Sequence, residues 1–146
     1  MSALFEHSPW VEARADARPR SGDRHADLMA AVRGASTEEQ LALIRAHPEL
    51  AGKAAVDGTL TRASAAEQAG AGLDRLTQAE FDRFHALNAA YREKFGFPFI
   101  ICVRLTDKAG ILAAMERRLV NDRDSEIATA IEQIGEIVRL RLADMA

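Results

Sequence analysis

Residues 95–104 read FGFPFIICVR, a long apolar run that lacks a helical period. Pro98 fixes its own φ, has no N–H group and disfavours the α region for Phe97 before it. Gly96 permits backbone angles that other residues avoid, and the β-branched and aromatic residues that follow favour an extended backbone. The sequence therefore predicts one buried extended segment near residues 96–103.

The backbone of this extended segment needs hydrogen-bond partners. Nearly everything else in the chain has a helical period, so no neighbouring strand is expected to pair with it, yet buried N–H and C=O groups must be satisfied. A small, flat, amide-rich ligand could supply the partners, and so could side chains or water. Two interpretations stay open: the segment is the wall of a binding site, or it is an ordinary core segment.

Helix signals fill the rest of the chain. Capping residues are expected at Ser8, at Ser36 or Thr37, at Ser64 and at Thr77. The pattern predicts an all-α, compact multi-helix single domain covering residues 1–146, with the one extended segment. Two helices have clear apolar stripes with steps of 3 or 4: Phe81, Phe84, Leu87, Tyr91 and Phe95 in one, and Ile127, Ile131, Ile134, Val138 and Arg141 in the last.

Composition narrows the class of protein. The 146 residues are 48% hydrophobic and 28% charged, as expected of a folded soluble domain. The net charge is −3 and the basic residues are scattered, which argues against nucleic acid as a partner. No apolar stretch approaches a membrane span, no signal-peptide pattern is present, and the one cysteine, Cys102, rules out a disulfide framework. A cytoplasmic protein is expected.

His47 is the strongest single candidate for chemistry. It stands where a helix stops, before Pro48 and beside a glycine-rich loop that follows Glu49. Histidine changes its charge near neutral pH and can give or take a proton. The alternative is a histidine that merely contacts the last carbonyl groups of its own helix.

Glu67 and Gln68 together could fix the polar edges of a heterocycle. The alternative is specific, because Ser64 and Glu67 have the spacing of a capping box. In that case Glu67 would only satisfy N–H groups at the start of its helix.

Two arginines are candidates for binding a carboxylate through a bidentate fork, Arg104 and Arg141. Each could equally form a structural ion pair. Arg141 lies on the apolar stripe of the last helix, so its guanidinium either extends to water along that stripe or reaches a buried anion. Cys102 lies in an apolar run without an adjacent base and is interpreted as a core residue. The sequence has no cysteine pair, no His-x-x-x-His and no glycine-rich phosphate loop, so neither a metal nor a cofactor is expected.

Seven segments, spread in order along the chain, form a recognisable set. They are FEHSPW at 5–10, IRAHPELAGK at 44–53, SAAEQAGAGL at 64–73, Leu87-Asn88 with Tyr91, KFGFPFIICVR at 94–104, RLVN at 118–121 and the stretch 134–142. The His-Pro-x-Leu-Ala-Gly and Phe-Gly-Phe-Pro-Phe motifs within them are highly specific in combination, although neither is alone. Together the segments resemble one known family, the 2-oxo-4-hydroxy-4-carboxy-5-ureidoimidazoline (OHCU) decarboxylases, and the match covers nearly the whole chain.

The resemblance implies an all-α fold and a cofactor-free decarboxylation of OHCU to (S)-allantoin and carbon dioxide, in uric acid degradation. It also implies a homodimer. In this sequence His47 corresponds to the family's catalytic histidine, and Glu67 acts with it. The implied substrate-binding residues are Pro48, Gln68, Phe97, Phe99, Ile100, Ile101 and Arg141.

Two alternatives remain at this stage. One is another enzyme of ureide metabolism, such as a hydrolase, although hydrolases of that kind commonly use a metal cluster. The other is a non-catalytic helical module that binds a partner protein, which predicts no pocket around His47 and an exposed apolar groove.

Overall fold

Seven α-helices make up most of what the computed structural model describes, which is residues 4–5, 7–50 and 62–145. No β-strand occurs among these residues, so the all-α prediction is confirmed. A short 3₁₀ helix, Val103–Leu105, follows the extended segment. The α-helices are α1 (Trp10–Asp16), α2 (Arg24–Arg33), α3 (Thr37–Arg45), α4 (Arg62–Gly70), α5 (Gln78–Phe95), α6 (Lys108–Arg118) and α7 (Arg123–Met145).

Helix α5 leads directly into the extended segment. It begins at a capping box, in which the Thr77 side chain accepts from the Glu80 N–H and the Glu80 carboxylate accepts from the Thr77 N–H. It ends at Gly96, whose φ of 79° is left-handed and suits a residue without Cβ. The cap at Thr77 was predicted from the sequence, and Gly96 was expected only to permit backbone angles that other residues avoid. Pro98 then keeps the chain out of the helical region.

The predicted caps have different outcomes. Helix α3 is capped by Ser36, one of the two predicted candidates, and Glu39 completes its capping box, so Thr37 is not the cap. Helix α1 has Pro9 at its N-cap without a side-chain hydrogen bond, so Ser8 does not cap it. Ser64 lies inside α4, which has already begun at Arg62.

The core is built around α7. Its buried face continues the predicted stripe and contacts α2 and α3, while α1 packs on α2 and α5 packs on α6. Gly135 allows α2 to approach closely, because a Cβ at this position would lie 3.2 Å from Cε of Met29. In the described part of the chain, no helix is both long and apolar enough to cross a membrane. Most of the glycine-rich loop predicted after Glu49 falls on residues 51–61, outside the described residues.

Candidate active site

A recess opens where the end of α3, helix α4, the extended segment and α7 meet. Its cavity volume is about 40 Å³, within a wider opening of about 460 Å³ that includes open solvent. Its lining brings together the catalytic candidates His47 and Glu67 and most of the predicted substrate-binding residues. The described residues that line it are His47, Pro48, Leu50, Ser64, Glu67, Gln68, Phe99, Ile100, Ile101, Cys102, Val103, Arg104, Ile137 and Arg141.

His47 is held by the helix that it follows. Its Nδ1 lies 2.9 Å from the Leu43 carbonyl oxygen, and since a carbonyl can only accept, Nδ1 carries the proton. In the neutral ring Nε2 is then the atom with a lone pair. His47 therefore contacts one of the last carbonyl groups of its own helix and also lines the recess. The two interpretations of this residue are compatible, because Nδ1 fixes the ring while the ring itself borders the cavity.

Glu67 pairs with Arg141 across the recess. Arg141 Nη2 lies 2.6 Å from Oε1 of Glu67, and Arg141 Nε lies 2.9 Å from Oε2, which is the bidentate geometry of a strong charge-assisted pair. Only 8% of the Arg141 side chain and 14% of the Glu67 side chain are exposed. Arg141 thus reaches a buried anion and does not extend to water, and its Nη1 also donates to the Leu4 carbonyl at 3.4 Å.

The capping interpretation of Glu67 is wrong. Because α4 begins at Arg62, Glu67 lies in the second turn of the helix, beyond the first-turn N–H groups that a cap would satisfy. Its carboxylate instead lies on the side of α4 that faces α7, where Arg141 meets it. Gln68 follows it in the chain, is buried, and lines the same recess.

Side chains supply several partners of the extended segment. Arg45 Nε donates to the Gly96 carbonyl at 3.1 Å, and Arg118 Nη1 donates to the Ile100 carbonyl at 2.7 Å. The Cys102 N–H donates to Oε1 of Gln133 at 2.8 Å. None of these contacts uses the N–H groups of Ile100 or Ile101, and both residues border the recess. The segment is a cavity wall fixed from behind by side chains.

Phe97 is the one predicted binding residue that does not line this recess. Its ring packs into a buried aromatic cluster, with ring centroids 5.9 Å from both Tyr91 and Phe95. Phe97 instead borders a second surface recess, together with Arg45, His47 and Glu49.

Arg104 and Cys102 also border the recess. Arg104 forms a bidentate pair with Asp144, at 2.7 and 3.2 Å, which holds the pKa of Asp144 below its ordinary value. Burial raises the pKa of the Cys102 thiol and so disfavours the thiolate, in agreement with a core role. Within the described ranges, no group of three or more histidine, cysteine, aspartate or glutamate side chains could hold a metal ion.

A second arginine–glutamate pair lies behind the wall and was missed. Arg118 Nε lies 2.8 Å from Oε1 of Glu126, which also accepts from the Tyr91 hydroxyl at 2.5 Å. Burial and the bond to Glu126 raise the pKa of Tyr91, so the phenol stays a donor. A signal was present, since Arg118 falls three residues after Met115 and seven after Ile111, on the inward face of α6.

Comparisons with known proteins agree on one family. A sequence profile described as OHCU decarboxylase matches residues 1–143. A curated 2-oxo-4-hydroxy-4-carboxy-5-ureidoimidazoline decarboxylase of Haloferax volcanii is 43% identical over 144 residues, which is 97% of this chain and 83% of that protein.

Two solved structures are also similar. A crystal structure of (S)-allantoin synthase has a TM-score of 0.71 and 32% identity over 97% of this chain and 46% of its own. A crystal structure of OHCU decarboxylase with (S)-allantoin has a TM-score of 0.76 over 94% of this chain and 91% of its own. Because the identity to this second structure is only 21%, the similarity supports the fold alone.

Proposed function

This chain belongs to the OHCU decarboxylase family, and on that premise we propose that it is a carboxy-lyase that converts OHCU to (S)-allantoin and carbon dioxide in uric acid degradation. The observation that carries the proposal is convergence. His47, the Glu67–Arg141 pair, Gln68 and the wall at 99–101 come from distant parts of the sequence and line one recess.

The reaction requires little beyond these side chains. The carbon–carbon bond to the substrate carboxylate breaks, its electron pair stays on the ring and is delocalised into the adjacent conjugated system, and carbon dioxide leaves. One proton must then reach a ring carbon from one face only. The protein therefore has to bind the ring, favour loss of the carboxylate and deliver a single proton, and we assign no cofactor to it.

We assign the proton transfer to His47. The Nδ1 contact with Leu43 fixes the ring, so Nε2 is the nitrogen that can exchange a proton with the substrate. A positioned acid–base group of this kind typically contributes about 10²–10⁴-fold to the rate.

Glu67 acts beside it. Its carboxylate would accept from the substrate hydroxyl or ureido group, and its negative charge would disfavour the substrate carboxylate in the ground state. Arg141 is the residue that orients the Glu67 carboxylate, through both of its contacts. Gln68 and the Ile100–Ile101 backbone would meet the amide edges of the ring.

The first test is circular dichroism of freshly generated OHCU with and without the protein. Rapid appearance of optically active allantoin is expected. Slow racemic decay, unchanged by the protein, would remove the proposed function and leave the fold and the family in place. Release of ammonia or urea without decarboxylation would instead support the alternative of a ureide hydrolase.

His47→Asn tests the assignment of the proton. The asparagine keeps a polar group near the Leu43 carbonyl but cannot exchange a proton near neutral pH. We expect kcat to fall about 10²–10⁴-fold, measured from the same dichroism signal. A variant that still formed one enantiomer at full rate would show that another group carries the proton.

The alternative of a partner-binding module predicted no pocket around His47, and a lined recess with an ion pair in its wall is evidence against it.

We further propose that residues 1–146 act as a single catalytic domain, that the enzyme is a homodimer, and that it is cytoplasmic. Family resemblance supports the first two, and a free buried cysteine suits the third. Light scattering would test the dimer, because a monomer mass with full activity would contradict it.

A further inference from the structure

Arg118 grips the cavity wall at two points. Its Nη1 donates to the Ile100 carbonyl at 2.7 Å, and its guanidinium carbon lies 4.3 Å from the centre of the Phe99 ring. Phe99 and Ile100 both line the recess, but Arg118 does not. Arg118 therefore holds the wall from the side opposite the cavity, with only 6% of its side chain exposed.

Glu126 fixes Arg118 in turn. This carboxylate is fully buried, and both of its oxygens are used: Oε1 accepts from Arg118 and Tyr91, and Oε2 accepts from Asn121 Nδ2 at 2.9 Å. A buried carboxylate with three hydrogen-bond donors around it has little freedom to move. The network of Tyr91, Arg118, Asn121 and Glu126 thus gives the guanidinium a defined position.

The geometry of Arg118 differs from that of a simple ion pair. Its Nε donates to Glu126 and its Nη1 donates to the Ile100 carbonyl. Its Nη2 is buried without a hydrogen-bond acceptor in the described part of the chain. A purely structural pair would gain more from the bidentate arrangement that Arg141 makes with Glu67. Arg118 is therefore placed to bind the Ile100 carbonyl, and it makes a single hydrogen bond to Glu126 where two would be possible.

This contact orients a backbone donor. In a planar trans peptide the C=O of one residue and the N–H of the next point in opposite directions. Because the Ile100 carbonyl points to the buried Arg118, the N–H of Ile101 points away from the network, toward the side on which the recess lies.

We propose that Arg118, held by Glu126 and Tyr91, is a positioning residue that aims the Ile101 N–H into the recess as a hydrogen-bond donor to a carbonyl group of the substrate. The inference rests on the proposed function, since the ligand it concerns is the heterocycle of that reaction. It adds a residue that never touches substrate and acts only through the peptide between residues 100 and 101.

Arg118→Lys is the direct test. An ammonium keeps the positive charge beside Glu126 but lacks the planar fork that reaches Glu126 and Ile100 together. With OHCU as the substrate, we expect KM to rise roughly tenfold, about the loss of one hydrogen bond, with a smaller change in kcat. In a ¹⁵N-labelled sample titrated with (S)-allantoin, the Ile101 amide signal should shift in the wild type and saturate at roughly tenfold higher concentration in the variant.

Arg14→Lys is the matched control. Arg14 also pairs with a carboxylate, that of Glu39, and lies 4.7 Å from the centre of the Trp10 ring, but it does not line the recess. Its substitution should leave KM and the Ile101 signal unchanged. If Arg118→Lys does not fold, Tyr91→Phe removes one donor to Glu126 and leaves Arg118 in place, and a KM rise of roughly twofold to threefold is expected, since one hydrogen bond is lost at a distance.

The outcomes separate the two proposals. A wild type that neither turns over OHCU nor shifts the Ile101 signal with (S)-allantoin overturns the proposed function and this inference with it. An active wild type beside a folded Arg118→Lys variant with unchanged KM and unchanged Ile101 titration overturns this inference alone. A variant with a lower melting temperature and an unchanged KM shows that Arg118 is structural only.

Discussion

Two arginine–glutamate pairs in the described part of the chain, Arg141–Glu67 and Arg118–Glu126, use the same chemical groups for different purposes. Arg141 donates to the Glu67 carboxylate from both Nε and Nη2, and this pair borders the recess. Arg118 divides its donors between Glu126 and a backbone carbonyl, and this pair is sealed behind the cavity wall. The difference shows that the place of a pair relative to the cavity decides whether its carboxylate is available to a ligand.

The largest expected effect comes from breaking the sealed pair. Glu126→Ala leaves the Arg118 charge buried without a partner, and removal of one member of a buried pair typically costs about 3–5 kcal/mol. Glu67→Ala should cost less than half of that, because water can enter the recess and solvate Arg141. Urea unfolding of both variants measures the difference, and equal losses of stability would contradict the distinction between the two pairs.

The second largest effect is expected on activity, from a change in the Glu67–Arg141 pair. Glu67→Gln keeps the shape of the side chain and an oxygen that accepts from Arg141, but it removes the negative charge from the recess. We expect kcat to fall on the order of 10²-fold or more, with the unfolding midpoint nearly unchanged. Unchanged kcat and unchanged handedness of the allantoin formed would show that the carboxylate has no part in the chemistry.

A smaller effect is expected at Arg141. Arg141→Lys keeps the charge and loses the bidentate fork, so kcat/KM should fall roughly tenfold. If Arg141 acts through Glu67, the double variant with Glu67→Gln should be little worse than Glu67→Gln alone. Steady-state kinetics of the two single variants and the double variant give this coupling, and additive losses would mean that Arg141 meets the substrate independently.

The smallest effect concerns a third, half-exposed pair. Hydrogen bonding to Arg14 pulls the pKa of Glu39 down to about 2. Because the folded pKa lies below the ordinary value of about 4.3, this pair stabilises the protein above that pH and loses its effect as the pH falls toward 2.

The stability difference between the wild type and Glu39→Gln should therefore shrink between pH 5 and pH 2. Urea midpoints across this range would test it. A difference that did not change with pH would show that the Glu39 charge contributes nothing to folding.

The sequence by itself determined the local features. The cap at Thr77 and the helix-excluding Pro98 were predicted, and Gly96 was identified as a residue that permits unusual backbone angles, because each feature depends on residues within a few positions of one another. The stripe of α7 likewise placed Arg141 among apolar residues. Local rules left two candidates open where neighbours compete, as at Ser36 and Thr37, since adjacent hydroxyl residues offer the backbone nearly equal caps.

Only the tertiary structure decided which charges meet. Arg141 and Glu67 are 74 positions apart in the chain, and Tyr91 and Glu126 are 35 apart, so no helical spacing links them. Whether Arg141 would extend to water or bind an anion depended on which face of α4 lies against α7. The same packing placed the Ile100 carbonyl beside Arg118 and the Ile101 N–H on the side of the recess that His47 lines. The physical reason is that backbone groups without a neighbouring strand take their hydrogen-bond partners from the helices around them.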